Sequence, residues 1–194
     1  MLSEFKYGSP VLQAIVNRRS RYNFSKNPVS KSSIQTLLDA GMRTSIKADQ
    51  GQWSYVVIQE DGYIEYLREY AALLEQVDSS YGNLDVKSRL EAAPSIQVGS
   101  GSLILICLNL QLPFSLDNCW LAVENILLTA SALGFGVSMD GSLLKVFKLS
   151  NIKSDLNIPD ELTVLAAIIV GEPEKSILPG DRKSTRLNSS HANV

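Results

Sequence analysis

The chain has 194 residues, a formal net charge of −2, one histidine and two cysteines, and 45% of its residues are apolar. This near-neutral charge argues against a general binder of nucleic-acid backbones, which carries a strong basic excess. Two isolated cysteines exclude a disulfide scaffold or a zinc ribbon, and one histidine leaves little room for a His-based triad or a histidine-rich metal site.

The length fits one domain, and a chain of this size buries enough surface for a real core. The N-terminal residues lack the basic-then-apolar order of a signal peptide. No apolar run reaches the roughly 18 to 20 residues that span a bilayer. We therefore expect a cytoplasmic protein with no membrane partner.

Hydrophobic periodicity predicts helices and strands in mixed order along the chain. Apolar residues three and four apart indicate helices over 11–17, 33–42, 63–76, 84–92, 116–133 and 143–149. Runs of β-branched and aromatic residues indicate strands over 53–59, 102–108 and 162–170, with a short extended piece over 135–139. No regular βαβ spacing is present, which favours an α+β fold.

The predicted helix over 116–133 is apolar around most of its circumference. Such a helix is buried at the centre of a domain or within an oligomer interface. Gly134 stands where the helix ends and fits its C-cap. Asn125 is either a hydrogen-bonding residue of the core, the favoured interpretation, or a residue that faces a ligand. Cys107 and Cys119 stand in apolar surroundings and are best interpreted as small buried hydrophobes.

The first candidate site is the run Arg18-Arg19-Ser20-Arg21, directly after the first predicted helix. Guanidinium donors match the geometry of a phosphate, and a serine hydroxyl adds a short donor. The alternative is a solvated basic helix end, which the helix dipole favours. From these residues alone, both interpretations stand.

Glycines after the long helix form the second candidate, Gly134-Phe135-Gly136 followed by Gly141. The pattern fails as a dinucleotide fingerprint, because Met139 stands at the third glycine position and a helix, not a strand, precedes it. Glycine still permits the main chain to approach a flat ligand closely. The alternative is an ordinary capped turn.

In order and spacing, these segments resemble the FMN-dependent nitroreductase family over about residues 11–179. The run AIVNRRSRYNF is similar to the family's N-terminal phosphate motif, Arg-Arg-Ser-x-Arg-x-Phe. The run DNCWLAVENILLTASALGFGVSMDG resembles its long helix and Gly-Leu-Gly turn, and LNIPDELTVLAAIIVGEPEK resembles its closing strand. Their combined order is more specific than any one of them.

The resemblance implies a nitroreductase-like three-layer α+β fold, with a central, mostly antiparallel sheet flanked by helices. It also implies a homodimer with the long helix buried at its centre, FMN at the subunit interface, and NADH or NADPH as electron donor. In such enzymes the flavin carries the hydride chemistry, so no catalytic side chain is expected. A ping-pong cycle is implied, in which a nitroaromatic, a quinone or a similar acceptor takes the electrons.

For the phosphate end of the cofactor, the resemblance carries over to the arginine-rich run. Arg18 and Ser20 match phosphate-binding positions of the family, and Arg19 matches the residue between them. Tyr22 replaces the third arginine of the motif, and Arg21 stands one position early. On a regular element, a shift of one position points a side chain elsewhere, so the family's third arginine contact is missing at Tyr22, and Arg21 stays a candidate cofactor-binding residue from the neighbouring position.

For the ring end, Asp140 and Gly141 match the segment whose main chain faces the hydride-accepting edge of the flavin. Asn83 matches a ring-contacting asparagine of some members. The run SIKADQGQW departs from the family, because Asp49 stands where asparagine is usual. An aspartate accepts from the ring imide but cannot donate to its carbonyls. Two nearby side chains are candidates for the missing donor, Lys47 and Gln50.

The last residues do not continue the pattern. Residues 181–191, DRKSTRLNSSH, are identical to one reading frame of a common sequencing-adapter oligonucleotide, so we expect 181–194 to be a non-native tail. Residues 1–180 then form a single nitroreductase-like domain that is shortened at its C-terminus. The shortened end and the altered segment over 45–53 motivate an alternative function, a flavin-binding protein without turnover or an inactive fragment.

Overall fold

The computed structural model describes residues 9–44, 53–79 and 101–174. Five α-helices lie in these ranges: α1 Pro10–Asn17, α2 Lys31–Gly41, α3 Asp61–Ser79, α4 Ser115–Ala132 and α5 Ser150–Asp155. A 3₁₀ helix covers Ser142–Lys148. Four strands lie in the same ranges: β1 Trp53–Ile58, β2 Ser102–Leu108, β3 Gly136–Met139 and β4 Thr163–Gly171.

The strands form one antiparallel sheet in the order β1-β2-β4-β3. β2 lies inside the sheet, and every one of its residues is buried. Its side chains alternate between the faces, so Leu103 and Leu105 pack in one hydrophobic cluster and Ile104 and Ile106 in the other. A strand covered on both faces has no need of polar residues, which explains its continuous apolar run.

Helices cover both faces of this sheet. The cluster on one face includes Ile64 and Leu67 of α3, Phe147 of the 3₁₀ helix and Ile152 of α5. The cluster on the other face is built from side chains of α2 and α4, and α1 packs against α4. The predicted three-layer α+β architecture with an antiparallel central sheet is therefore confirmed. Among the helices in the described ranges, none is long and apolar enough to cross a membrane.

The secondary structure after β3 differs from the sequence-based prediction. The predicted helix over 143–149 is a 3₁₀ helix, whose buried residues Leu143, Val146 and Phe147 are three and four apart. That spacing fits 3.0 residues per turn nearly as well as 3.6, so the pattern alone does not separate the two helix types. α5 was not predicted, because its six residues contain a single buried apolar side chain, Ile152. The predicted helix over 84–92 lies outside the described residues.

The long helix α4 divides its apolar residues between two environments. Its inner side, which includes Ile126 and Leu127, is buried. Its outer side exposes Leu116, Trp120 and Leu121, so the helix is only half enclosed by its own chain. The inner side is therefore part of the domain core, and the outer side presents apolar surface.

Two predictions about polar and sulfur-containing side chains of this region are confirmed. Asn125 Nδ2 donates to the carbonyl oxygens of Ala40 and Arg43, both at 3.2 Å, and so ties α4 to the C-terminal end of α2. Cys107 and Cys119 are fully buried free thiols. Burial raises the pKa of Cys107 to about 11 and that of Cys119 to about 12, which makes both unreactive at neutral pH.

Candidate functional site

The arginine-rich segment lies along the edge strand β3. Ser20 forms a parallel bridge with Val137, and the main-chain N–H of Arg21 donates to the carbonyl oxygen of Val137 at 2.8 Å. Gly136 makes this approach possible, since a Cβ at that position would lie 2.9 Å from Cβ of Arg21 and 3.0 Å from the Phe24 ring. The end of α1 is thereby held against the sheet.

Phe24 anchors the other end of the segment. Its ring is 2% exposed, and it packs over Gly171, where an added Cβ would lie 2.6 Å from Cδ1 of the ring. The N–H of Ser25 donates to the carbonyl oxygen of Glu172 at 2.7 Å. The segment from Ser20 to Ser25 is therefore attached at both ends to neighbouring strands, which fixes the path of its main chain.

A cleft of about 450 Å³ opens beside this segment. Arg19 and Arg21 line it, together with Gly134 and Phe135 of the glycine-rich turn. Gly134 has a φ of +83°, the left-handed conformation of a residue that follows a helix C-cap, as its sequence position predicts. The structure thus brings part of the arginine run and part of the glycine-rich turn to one cleft.

Arg19 also has a structural role. Its Nη1 donates to the carbonyl oxygens of Val16, at 2.6 Å, and Arg18, at 2.8 Å. These carbonyls belong to the last turn and the C-cap of α1, where a cation is favoured by the helix dipole. The interpretation of the run as a basic helix end therefore holds for this arginine, and phosphate binding stays a prediction.

Glu172 supplies a carboxylate to the same cleft. Ser25 Oγ donates to its Oε2 at 3.0 Å, and Asn27 Nδ2 donates to the same oxygen. Donation from Asn27 and then from Ser25 holds the pKa of Glu172 below its ordinary value. The charged carboxylate is thus fixed on the Ser25–Asn27 turn by two donors, and no sequence pattern pointed to it.

Asp140 and Gly141 follow directly at the far end of β3. The N–H of Asp140 donates to Ala167 of β4 at 2.9 Å, and its Oδ1 accepts from the N–H and the hydroxyl of Ser142 at 3.1 and 2.5 Å. Gly141 is exposed, and among the described residues no atom lies within 4 Å of a Cβ added there. The Asp140 carboxylate is therefore used inside the protein, and the side-chain position of Gly141 faces open space.

Arg68 of α3 reaches the same carboxylate. Its Nε lies 3.7 Å from Oδ2 of Asp140, and the two side chains are 13% and 8% exposed. Burial lowers the pKa of Arg68, and the Asp140 charge opposes that shift. Sequence reasoning missed this pair, although Arg68 stands between Leu67 and Ala71 on the buried stripe of an amphipathic helix. A charged residue in such a stripe is the signal that could have found it.

The remaining predicted site residues lie outside the described part of the chain: Lys47, Asp49, Gln50 and Asn83. Their roles stay predictions. Ser20 lies on the attached segment, and Arg18 is the C-cap residue of α1 just before it. The structure therefore places the predicted phosphate segment and the Asp140–Gly141 segment at two points along β3.

Comparison with known proteins identifies the family. The model of the nitroreductase family matches residues 15–172. A Methanothermobacter thermautotrophicus protein, provisionally named NADH dehydrogenase/NAD(P)H nitroreductase, is 26% identical over 175 residues, which cover 89% of this chain and 81% of the relative.

Two solved structures share the fold. A nitroreductase with bound FMN from Desulfitobacterium hafniense has a TM-score of 0.75 at 15% identity, and the match covers 92% of this chain and 97% of that one. An NADPH:FMN oxidoreductase from Vibrio harveyi, in complex with NAD⁺, has a TM-score of 0.65 at 16% identity. The match covers 96% of this chain and 79% of that one.

The chain belongs to the nitroreductase family. The family and the fold class predicted from the sequence are confirmed. The match covers both the arginine-rich segment and the Asp140–Gly141 segment.

Proposed function

We propose that this protein binds FMN along β3 and uses NADH or NADPH to reduce a nitroaromatic, a quinone or a similar acceptor in a ping-pong cycle. The observation that carries the proposal is the position of two segments on one strand. The arginine-rich segment pairs with Val137, and the open main chain of Gly141 follows the end of the same strand.

The residues at the first segment fit a phosphate. Arg19 and Arg21 line the cleft, and the neighbouring residues Arg18 and Ser20 add a further guanidinium and a hydroxyl. Charge-assisted donors of this kind suit phosphate oxygens. The Glu172 carboxylate is the one feature against an anion here, and its two donors on the Ser25–Asn27 turn offset its charge.

The second segment fits a flat ring. Neither the φ of Gly141, which is −70°, nor its neighbours within this chain require a glycine. The missing side chain leaves a path by which a ring can approach the main chain. From Val137 to Asp140 the strand advances about 10 Å at 3.3 Å per residue. A ligand with a phosphate at one end and a ring system at the other is suited to such a span.

When bound, FMN supplies the acceptance and donation of hydride. The residues of this chain bind and orient it. The arginine-rich segment holds the phosphate, and the main chain at Gly141 contacts the ring edge. Because the cofactor carries the chemistry, turnover does not require a histidine or a carboxylate pair at the site.

We also propose that the active form is a homodimer. Helices α1 and α4 pack together, and both expose large apolar side chains in the single chain. Large exposed apolar side chains on two packed helices are the kind of surface that indicates an interface. The apolar side chains on these helices are Val11, Leu12, Ile15, Leu116, Trp120 and Leu121.

The test begins with a titration of the purified protein with FMN, in which quenching of the flavin fluorescence measures binding. We expect saturable binding, anaerobic bleaching of the bound flavin by NADH or NADPH, and reoxidation by a nitroaromatic or a quinone. Parallel lines in double-reciprocal plots would support the ping-pong order. Binding without bleaching would instead favour the alternative, a flavin-binding protein without turnover. A protein that fails to bind added FMN would overturn the proposal.

A further inference from the structure

We propose that Arg68 is a positioning residue for the flavin ring, because its buried ion pair with Asp140 fixes the main chain at Asp140 and Gly141. This inference rests on the proposed function, in which that main chain contacts bound FMN. Arg68 itself lies on α3, in a different layer from the arginine-rich segment.

The first step of the argument is the number of elements that meet at one carboxylate. Asp140 Oδ1 accepts two bonds from Ser142, the first residue of the 3₁₀ helix, and Oδ2 faces Arg68 of α3. Its N–H is bonded to Ala167 of β4. Gly141 stands between Asp140 and Ser142, and its carbonyl accepts from Leu144 at 3.3 Å. The exposed glycine is therefore held by anchors on both sides.

The second step is energetic. Side chains that are 13% and 8% exposed have lost most of their water, and charges in such a place are retained at a cost. An apolar pair of similar volume would often stabilise the fold as well or better. Stability alone therefore gives little reason for this pair. A positioning role does explain the pair, because Arg68 holds the Asp140 carboxylate in place, and that carboxylate in turn holds the start of the 3₁₀ helix.

The third step concerns charge near the ring. The Arg68 guanidinium offsets the Asp140 carboxylate one residue before the proposed contact at Gly141. Without that cation, the negative charge of Asp140 would act on the ring with no positive charge from Arg68 to oppose it. Added negative charge disfavours the electron-rich reduced form, so the midpoint potential of bound FMN would become more negative.

The first experiment uses the protein without FMN and compares Arg68→Met with Lys153→Met. Lys153 is a matched control, a cation only 12% exposed in its side chain whose partner is Asp160. We expect Arg68→Met to speed amide hydrogen exchange at Ser142 and Leu144 by tenfold or more, with the amides of β2 unchanged. Equal exchange in the two variants would overturn the positioning role.

The second experiment uses the FMN-loaded proteins. We expect Arg68→Met to lower kcat about tenfold with a KM within about threefold of the unaltered protein. The midpoint potential of bound FMN should fall by about 30 mV. For a two-electron couple, this shift corresponds to a tenfold loss of affinity for reduced FMN relative to oxidised FMN. Arg68→Lys should recover part of both effects. If Arg68→Met and Lys153→Met show the same potential of bound FMN, the proposal is contradicted.

Two provisions keep the result decisive. If Arg68→Met does not fold, Asp140→Asn removes the same ion pair and keeps an oxygen acceptor for Ser142. The same faster exchange is expected, whereas the potential of bound FMN should rise, because the Arg68 cation is then unopposed. If the unaltered protein binds no FMN, the proposed function fails. The exchange experiment on the FMN-free protein still decides whether Arg68 fixes the segment.

Discussion

The main-chain N–H of Arg21 donates to the carbonyl oxygen of Val137 at 2.8 Å. This bond joins a segment that follows the first helix to a strand more than a hundred residues later in the chain. It places the guanidinium-bearing run beside the edge strand that leads to Asp140 and Gly141. The candidate site is thus built by long-range pairing, and its geometry depends on how closely the two segments approach.

The first prediction concerns that approach. Gly136→Ala places a Cβ 2.9 Å from Cβ of Arg21, so the segment must move away from β3. We expect a loss of about 1 to 3 kcal/mol in the free energy of unfolding, the usual cost of an overpacked site. FMN should also bind more weakly. Urea unfolding and FMN titration measure the two effects.

Gly62→Ala is the matched control for that variant, because nothing lies within 4 Å of a Cβ at this helical glycine. It should raise stability by about 0.4 to 1 kcal/mol through the unfolded state. Gly136→Ala with the stability and FMN affinity of the unaltered protein would show that the close packing does not constrain the segment.

The second prediction concerns the phosphate end. Arg18→Ala should weaken FMN binding by about 1.5 to 3 kcal/mol, since it removes a charge-assisted contact. That is roughly a ten- to hundredfold increase in Kd. Lys31→Ala removes an exposed cation at the start of α2 and should leave the affinity unchanged. Equal affinities for the two variants, by fluorescence titration, would show that the phosphate lies elsewhere.

The third prediction tests the proposed dimer. Trp120→Glu places a charge on the exposed apolar side of α4, where a dimer interface would bury it. By light scattering at micromolar concentration, we expect a monomer for Trp120→Glu and a dimer for the unaltered protein. Leu73→Glu, on the exposed side of α3, is the control and should stay dimeric. A dimer that persists in Trp120→Glu would place the interface on another surface.

Much of the fold was predictable from local patterns, because both faces of the sheet are covered. The β2 residues from Leu103 to Leu108 are apolar without interruption, because both faces of the strand are buried. The length of α4 is likewise visible in its run of apolar residues. The position of Gly134 also followed from chemistry alone, as a left-handed residue after a helix. The 3₁₀ geometry over Ser142–Lys148 did not, because its apolar spacing serves two helix types.

The candidate site was predictable only in part. The arginine-rich run is contiguous, so its chemistry is visible in the sequence. The role of each arginine is not visible in the sequence. The Arg19 side chain, for example, donates to carbonyl oxygens at the end of α1, and composition does not encode such contacts. The pairing of Arg68 with Asp140 joins residues far apart in the chain, and the fixing of Glu172 by Asn27 does the same. Such pairs follow from the tertiary fold.

The fourth prediction concerns acid pH. Two donors, Asn27 and then Ser25, lower the pKa of Glu172 from its ordinary value of 4.5. A depressed folded-state pKa gives stability that is present above the unfolded value and is lost as the pH falls through the folded value. We expect Glu172→Gln to flatten the decline in stability below about pH 5, measured by urea unfolding. Glu161→Gln, at an exposed carboxylate elsewhere, should follow the curve of the unaltered protein.

The fifth prediction concerns the two thiols. Burial raises the pKa of Cys107 to about 11 and that of Cys119 to about 12, from an ordinary 9.0, and the thiolate is the reactive form. Iodoacetamide at pH 8 should therefore leave the folded protein unlabelled and label both thiols in urea, as mass spectrometry would show.

A raised folded-state pKa gives stability that is present below the unfolded value and lost as the pH rises. Unfolding free energy should thus decline above pH 9, and Cys107→Ala should reduce the decline. Rapid labelling of the folded protein would contradict the buried, neutral state of these thiols.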